Sequence, residues 1–425
     1  MGGVALITAL ALSWVHGGQA QATPDTAVGP MVSKAIPFDS IGAVVSRRSW
    51  SPIVALAFHF SVGSTDDPPG LEGRARVAAE GAALSLMALL DGPSVEVHVG
   101  RRETVFTVRA LPDEWERALD LSFSALASAP TVEVLRQALA EHLERVAFED
   151  GAPLSEFNDN LDRLLAGGDV PGARPIDGTL ESVVSLDAAA IVVQARFTGG
   201  QLAIVGPIEP LEVATILGNP VVVPGGRVIR LDASEAALAT SAAPIDETLP
   251  WSAEAREVVV AGVINSWTAA AYPAPRGIPR TQLEFVAHIL EEQLDPYPPA
   301  DGVFGIEAEV RDLAAGPVLV VIGTFRPDVG GGWEDRFADR VDELIAGAPP
   351  SPFFESFLKR FRAHTLLAEP APEDEARRLV SEFGLGRVPR DLAAEISLLE
   401  PSAVTATIRR LGPPRMLRFG PPQGG

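Results

Sequence analysis

One order of elements runs through this chain twice, and that duplication constrains its fold more than any single motif. In the first pass PIVALAFHFSV (52–62) has strand character, and the Ala- and Leu-rich run 75–90 predicts a helix. SVEVHV (94–99) and ETVFTVRAL (103–111) alternate as a hairpin joined by Gly100-Arg101-Arg102. Apolar residues at helical spacing follow over 113–128, 132–149 and 154–166, and QLAIVGPI closes the unit as a buried strand. About 200 residues later the order restarts. EVVVAGVI (257–264) reads as a strand, and AAAYPAPRGIPR as a turn-rich connection. A helix over 281–294, a hairpin of 303–310 with 317–325, and two amphipathic helices complete the second pass. Residues 226–256 have no sustained period and are rich in Ala, Ser, Pro and acids, so they read as a linker. The sequence thus predicts two copies of one α+β domain, 36–225 and 257–425, with the helices starting near Ala75 and Thr281 equivalent.

Composition removes several function classes. The 425 residues carry 56 acidic and 34 basic side chains, a net charge of −22, which repels phosphate backbones and argues against nucleic-acid partners. There is no cysteine, hence no disulfide, thiolate metal site or cysteine nucleophile. The lysines are Lys34 and Lys359, and neither follows a glycine, so a Walker A loop is excluded. No interior run reaches the roughly 20 apolar residues of a membrane span, so no integral membrane protein is expected. At the N-terminus VALITALALSWV (4–15) is too short to span and is followed by AQA at 20–22. We read 1–22 as a secretory signal peptide cut after Ala22, although its start lacks Lys and Arg; the alternative is a buried first helix. Export without cysteine points to a bacterial periplasm or secretion.

Val62-Gly63-Ser64, Asp67, Pro69 and Gly73-Arg74-Ala75 stand between the first strand and first helix in the order found in the insulinase/pitrilysin metallopeptidases. GGDVPGARPIDGTLESVVSLD (167–187) resembles that family's G-D-H-P-Y-G-R-P-x-x-G-T-x-E-S segment, with Asp169, Pro171, Arg174, Pro175, Gly178, Thr179 and Glu181-Ser182 in place. The chain therefore resembles this family, which includes the mitochondrial processing peptidase subunits and respiratory-complex core proteins, over nearly all of its length after 22. The resemblance implies two homologous α/β-sandwich domains, each an antiparallel-rich sheet with helices on one side, in a clam-shell arrangement. It also implies zinc-dependent peptide hydrolysis through an HxxEH motif on the first helix. Two histidines at i and i+4 reach one ion, and the glutamate between them deprotonates its bound water.

The matching positions depart from that chemistry. The G-x-A alignment puts Arg76-Val77-Ala78-Ala79-Glu80 on HxxEH. Arg76 replaces the first ligand with a permanent cation, Ala79 replaces the base, and Glu80 stands alone. Shifting the register by one makes Val77 and Gly81 the ligands, which is worse. Glu141 or Glu144 resembles the third ligand, and an Arg76–Glu80 ion pair at i,i+4 is expected in place of a dication. The motif histidine of the second segment is Val170. In the second half the family's substrate-holding Tyr position resembles Gly302-Val303-Phe304-Gly305; Tyr297 lies nearby between prolines, and EEQLDPYPPAD has no Arg. No cofactor is expected: zinc belongs to the family, but its ligands are lost.

His288-Ile289-Leu290-Glu291-Glu292 is one letter from the zinc motif, with His288 and Glu292 on one helix face and Glu369, Glu373 or Glu375 downstream. His and Glu on one face more often form a solvated surface. His59 and His98 read as packed or edge strand residues, and Gly330-Gly331-Gly332 as an ordinary flexible connection. Gly92-Pro93-Ser94 lacks the second glycine of GxSxG. Three functional readings follow. The first is a non-catalytic peptidase homologue, binding peptide or scaffolding beside a catalytically intact relative. The second is a free-standing binding or structural module of the cell envelope. The third is a zinc peptidase with a relocated site at His288.

Overall fold

The structure is a computed structural model. It describes residues 42–90, 95–167, 170–232, 235–237, 251, 253–275, 277–294, 302–313, 316–327, 333–347, 351–367 and 370–422. The expected signal peptide, Gly92-Pro93-Ser94, Asp169, Tyr297, Gly330-Gly331-Gly332 and Glu369 lie outside the described residues.

The first half begins with β1 (Ala43–Arg47), β2 (Val54–Phe60), α1 (Arg74–Leu89), β3 (Val95–Val99) and β4 (Thr104–Ala110). Helices α2 (Trp115–Ala127), α3 (Val132–Glu149), α4 (Pro153–Ala166), α5 (Leu180–Val184) and α6 (Ala188–Ile191) follow. Then come β5 (Gln201–Gly206), α7 (Pro210–Leu217), β6 (Val221–Val223), β7 (Arg227–Ile229) and β8 (Glu235–Ala237). The second half contains β9 (Glu254–Val259), β10 (Ser266–Pro273), α8 (Arg280–Leu294), β11 (Val303–Leu313) and β12 (Gly316–Phe325). It continues through α9 (Trp333–Gly347), α10 (Ser351–Arg362), α11 (Pro372–Gly384), α12 (Leu392–Ser397), α13 (Pro401–Arg409) and β13 (Arg415–Gly420).

The sheets repeat one topology. The first has the order β3-β4-β2-β5-β1-β6-β7-β8, and the second β11-β12-β10-β13-β9. In each, the first strand pairs parallel with the last of the five shared strands, and the second strand is antiparallel to both neighbours. Helices α1 and α8 occupy equivalent places in this order. The expected mixed α+β fold of two similar halves is what the chain adopts.

Three features differ in detail. The strand expected at 257–264 is β9, which starts earlier and ends at Val259, and β10 follows it where a connection was expected, so SWTAAAYP is a buried central strand. Alanine has low strand propensity, but here small side chains let helices approach both faces: Ala270 packs under α9, and Ala269 and Ala271 under α4. Strands β7 and β8 fall inside 226–256 and extend the first sheet, and β9 begins there too.

The third concerns the helices. Each half's own helices cover one sheet face, while the opposite face is covered by a helix from the other half. Helix α4 places Phe157, Leu161 and Leu164 against Trp267, Leu417 and Phe419. Helix α11 places Ala376, Leu379 and Val380 against Ala55, Ala57 and Ala203. That exchange explains why all seven residues of β2 are buried and why its sequence is continuously apolar except at His59.

Candidate functional site

The site lies where α1, α3 and the segment 174–182 meet. Asp67 organises the start of α1: its carboxylate accepts the backbone N–H of Gly73 at 3.0 Å and of Ala75 at 2.9 Å. Burial pushes its pKa up to about 6, against the lowering effect of Arg74 and those two N–H groups. Gly73 (φ +92°) and Gly178 (φ +79°) let the two chain segments touch. A Cβ on Gly73 would sit 2.6 Å from the Asp177 carbonyl oxygen, and one on Gly178 2.3 Å from that of Glu72. Ser182 Oγ donates to the Glu72 carbonyl at 3.0 Å, and a Thr179–Ser182 capping box starts α5.

This contact brings five polar side chains together. Arg76 Nε donates to Asp177 Oδ1 at 2.6 Å, so Arg76 does not pair with Glu80 as expected. Asp177, contributed by the facing segment, is a better-placed partner than the i+4 neighbour. Glu80 instead pairs with Arg145 of α3. Arg145 Nη2 also donates to His142 Nδ1 at 2.7 Å, and His142 Nε2 donates to the Asp177 carbonyl at 2.8 Å. These partners assign a neutral imidazole with the proton on Nε2. Burial lowers the His142 pKa, assisted by Arg145 and opposed by the Asp177 carbonyl and Glu80.

The arrangement does not suit zinc. Both nitrogens of His142 are engaged, Glu80 and Asp177 are neutralised by arginines, and Ala79 offers no base. Glu141 and Glu144 are on the exposed face of α3, where Glu141 accepts from Gln137 at 2.9 Å; neither faces Glu80. Among the described residues no three His, Asp or Glu side chains converge as a ligand set. Sequence reasoning missed His142, Arg145 and Asp177. The signal for His142 was there: Leu135, Ala138, His142 and Val146 form one buried stripe, while Glu141 and Glu144 fall off it.

The other candidates are dispersed. His288 Nε2 is 3.0 Å from Glu292, but Arg360 engages the same carboxylate at 2.6 and 2.7 Å. Glu373 and Glu375 are buried in α11, paired with Arg109 and Arg48 of the first half. Phe304 sits at an irregularity in the β11 register and is 59% exposed. His59 is buried beside Glu103 at 3.1 Å.

A duplicated α+β chain with exchanged helices has the fold of the M16, or insulinase-type, peptidases. Among solved structures it is similar to the peptidase M16 inactive domain of Pseudomonas fluorescens, with a TM-score of 0.69 and 15% identity over 90% of this chain and 97% of that one. A protease from Helicobacter pylori gives a TM-score of 0.68 at 13% identity over 90% of this chain and 97% of that one. The periplasmic protease PqqL of Escherichia coli gives 0.64 at 11% identity; 89% of this chain corresponds to 44% of that protease. No protein-family model matches the sequence, and no curated protein sequence does. Identities this low speak for the fold alone. The described residues contain no single helix long and apolar enough to cross a membrane.

Proposed function

We propose that this chain is an exported, non-catalytic member of the insulinase-type peptidases that binds peptide or acts as a scaffold beside a catalytically intact relative, the two enclosing a peptide chamber. The observation that carries this reading is the Arg76–Asp177 and Glu80–Arg145 pairing around a neutral His142 at the position of the zinc motif. A fold kept while its metal site is replaced by self-satisfied ion pairs supports a role in binding over one in hydrolysis. The likeness to a structure described as an inactive domain supports the same reading.

Native purification from the source cell tests it, with associated proteins identified by mass spectrometry. The expected result is stoichiometric recovery of an M16-type protein carrying an intact HxxEH motif. Recovery of this chain alone, as a monomer, would sink the pairing. One tightly held zinc per chain in elemental analysis would sink the non-catalytic reading, and its loss on His288→Ala would place the metal at the second-half helix.

A further inference from the structure

The two exchanged helices occupy seats of different chemistry. Helix α4 lies on an apolar surface where Trp267, Leu417 and Phe419 flank Ala269 and Ala271, and Arg415 caps its end by donating to the carbonyls of Leu164 and Leu165 at 2.7 and 3.0 Å. Helix α11 lies on alanines and valines, among them Ala55, Ala57, Val105 and Val205, ringed by charge. Its Glu373 pairs with Arg109, its Glu375 with Arg48, and its Arg377 with Glu96 at 2.9 Å. Beneath it Thr107, which shares a face with Ala57, is buried with its hydroxyl lacking a hydrogen-bond partner, as is the side-chain oxygen of Gln201. Desolvated ion pairs roughly break even against apolar packing, and an unpaired buried polar atom is a net cost. The α11 seat is therefore the weaker one, since water can satisfy its polar groups once the helix leaves.

Helix α11 also has a tether that would survive its release. Arg390 Nε donates to Glu382 of α11 at 2.6 Å and Nη1 to Glu284 of α8 at 3.0 Å, which ties the helix to its own half. We propose that α11 is a releasable latch and α4 the pivot. The halves part by lifting α11 off β2, β4 and β5 while α4 stays on the second sheet. Lifting uncovers the His59, Thr107 and Arg109 face and takes Arg377 away from Glu96 of the edge strand β3, which Arg109 still holds at 2.7 Å.

Hydrogen exchange on the full chain tests this. Amides of 372–384 are expected to exchange at least about 100-fold faster than those of 153–166, as a separate opening unit. Thr107→Val, which removes the unpaired hydroxyl at nearly constant volume, should slow exchange of α11 by about fivefold and leave α4 unchanged. Gly384→Ala should quicken α11 selectively, because the new Cβ would stand 2.2 Å from His59 Nδ1. If both helices exchange at one rate set by global unfolding, or if both substitutions move them together, the latch does not exist.

Discussion

Asp67 combines two opposing demands at one residue: it caps a helix, which favours the carboxylate, and it is buried, which favours the acid. Burial prevails, and the folded-state pKa of about 6 lies above the unfolded value. The ionised form is therefore a cost at neutral pH that is relieved as pH falls through 6 toward 4. Urea unfolding at pH 7 and pH 5 should show the stability difference between the parent and Asp67→Asn shifting in the parent's favour at pH 5. A constant difference would refute the assignment. His142 behaves in the opposite sense, because protonation breaks its bond from Arg145 and charges a buried ring. Arg145→Ala should raise the His142 pKa, read by NMR, by removing a cation and leaving Glu80 beside it. The same change should cost about 0.5–1 kcal/mol, since Arg145 is partly exposed. The departure from HxxEH at the positions that the resemblance aligns was legible at residue level, because Arg76, Ala79 and Glu80 are single positions in one helix. The partners of those residues were not, since Asp177 is 101 residues from Arg76 in sequence and the pairing depends on how a loop folds back.

At the scale of elements, most helices and hairpins with one apolar face were legible, but α11, α13 and the closing strand β13 went unread. Helix α3 runs over Val132–Glu149, the span its periodicity predicts. Of the strands buried on both faces, β2 and β5 were legible as continuous apolar runs, but β10, with three consecutive alanines between α9 and α4, was not. The exchange itself left no local mark, since α4 and α11 look like ordinary amphipathic helices and nothing in their sequence says whose sheet they cover. It has a measurable consequence. Leu161 is fully buried between halves, so Leu161→Ala should cost about 2–5 kcal/mol and lower the unfolding midpoint of the whole chain, not of one half alone. Two separate transitions in the variant would show that the halves do not depend on α4. Gly178→Ala should act on the loop that delivers Asp177, because φ there is +79° and its Cβ would meet the Glu72 carbonyl. A cost of about 1–3 kcal/mol is expected, with Arg76 released from Asp177.

At the scale of the molecule, the question is whether restoring a metal site would restore an enzyme. Arg76→His, Ala79→Glu and Glu80→His together rebuild the motif on α1, but the side chains facing position 80 are His142 and Arg145, while Glu141 and Glu144 point to solvent. The triple variant thus has two ligands and a cation aimed at the metal, and its zinc affinity should stay weak. Adding Arg145→Glu replaces that cation with a third ligand, and zinc affinity measured by chelator competition should rise by at least about tenfold. Hydrolysis should still not follow. The resemblance implies that a tyrosine of the second half holds peptide against the metal, and the matching segment carries Phe304, which is exposed. A bound zinc without an ordered substrate polarises water but gains little of the effective concentration on which turnover depends. The quadruple variant should therefore bind zinc and leave an unstructured peptide uncut unless a substrate-holding partner is supplied. Cleavage by that variant alone would mean that the second half still positions peptide, and the case for a purely non-catalytic chain would then rest on α1 only.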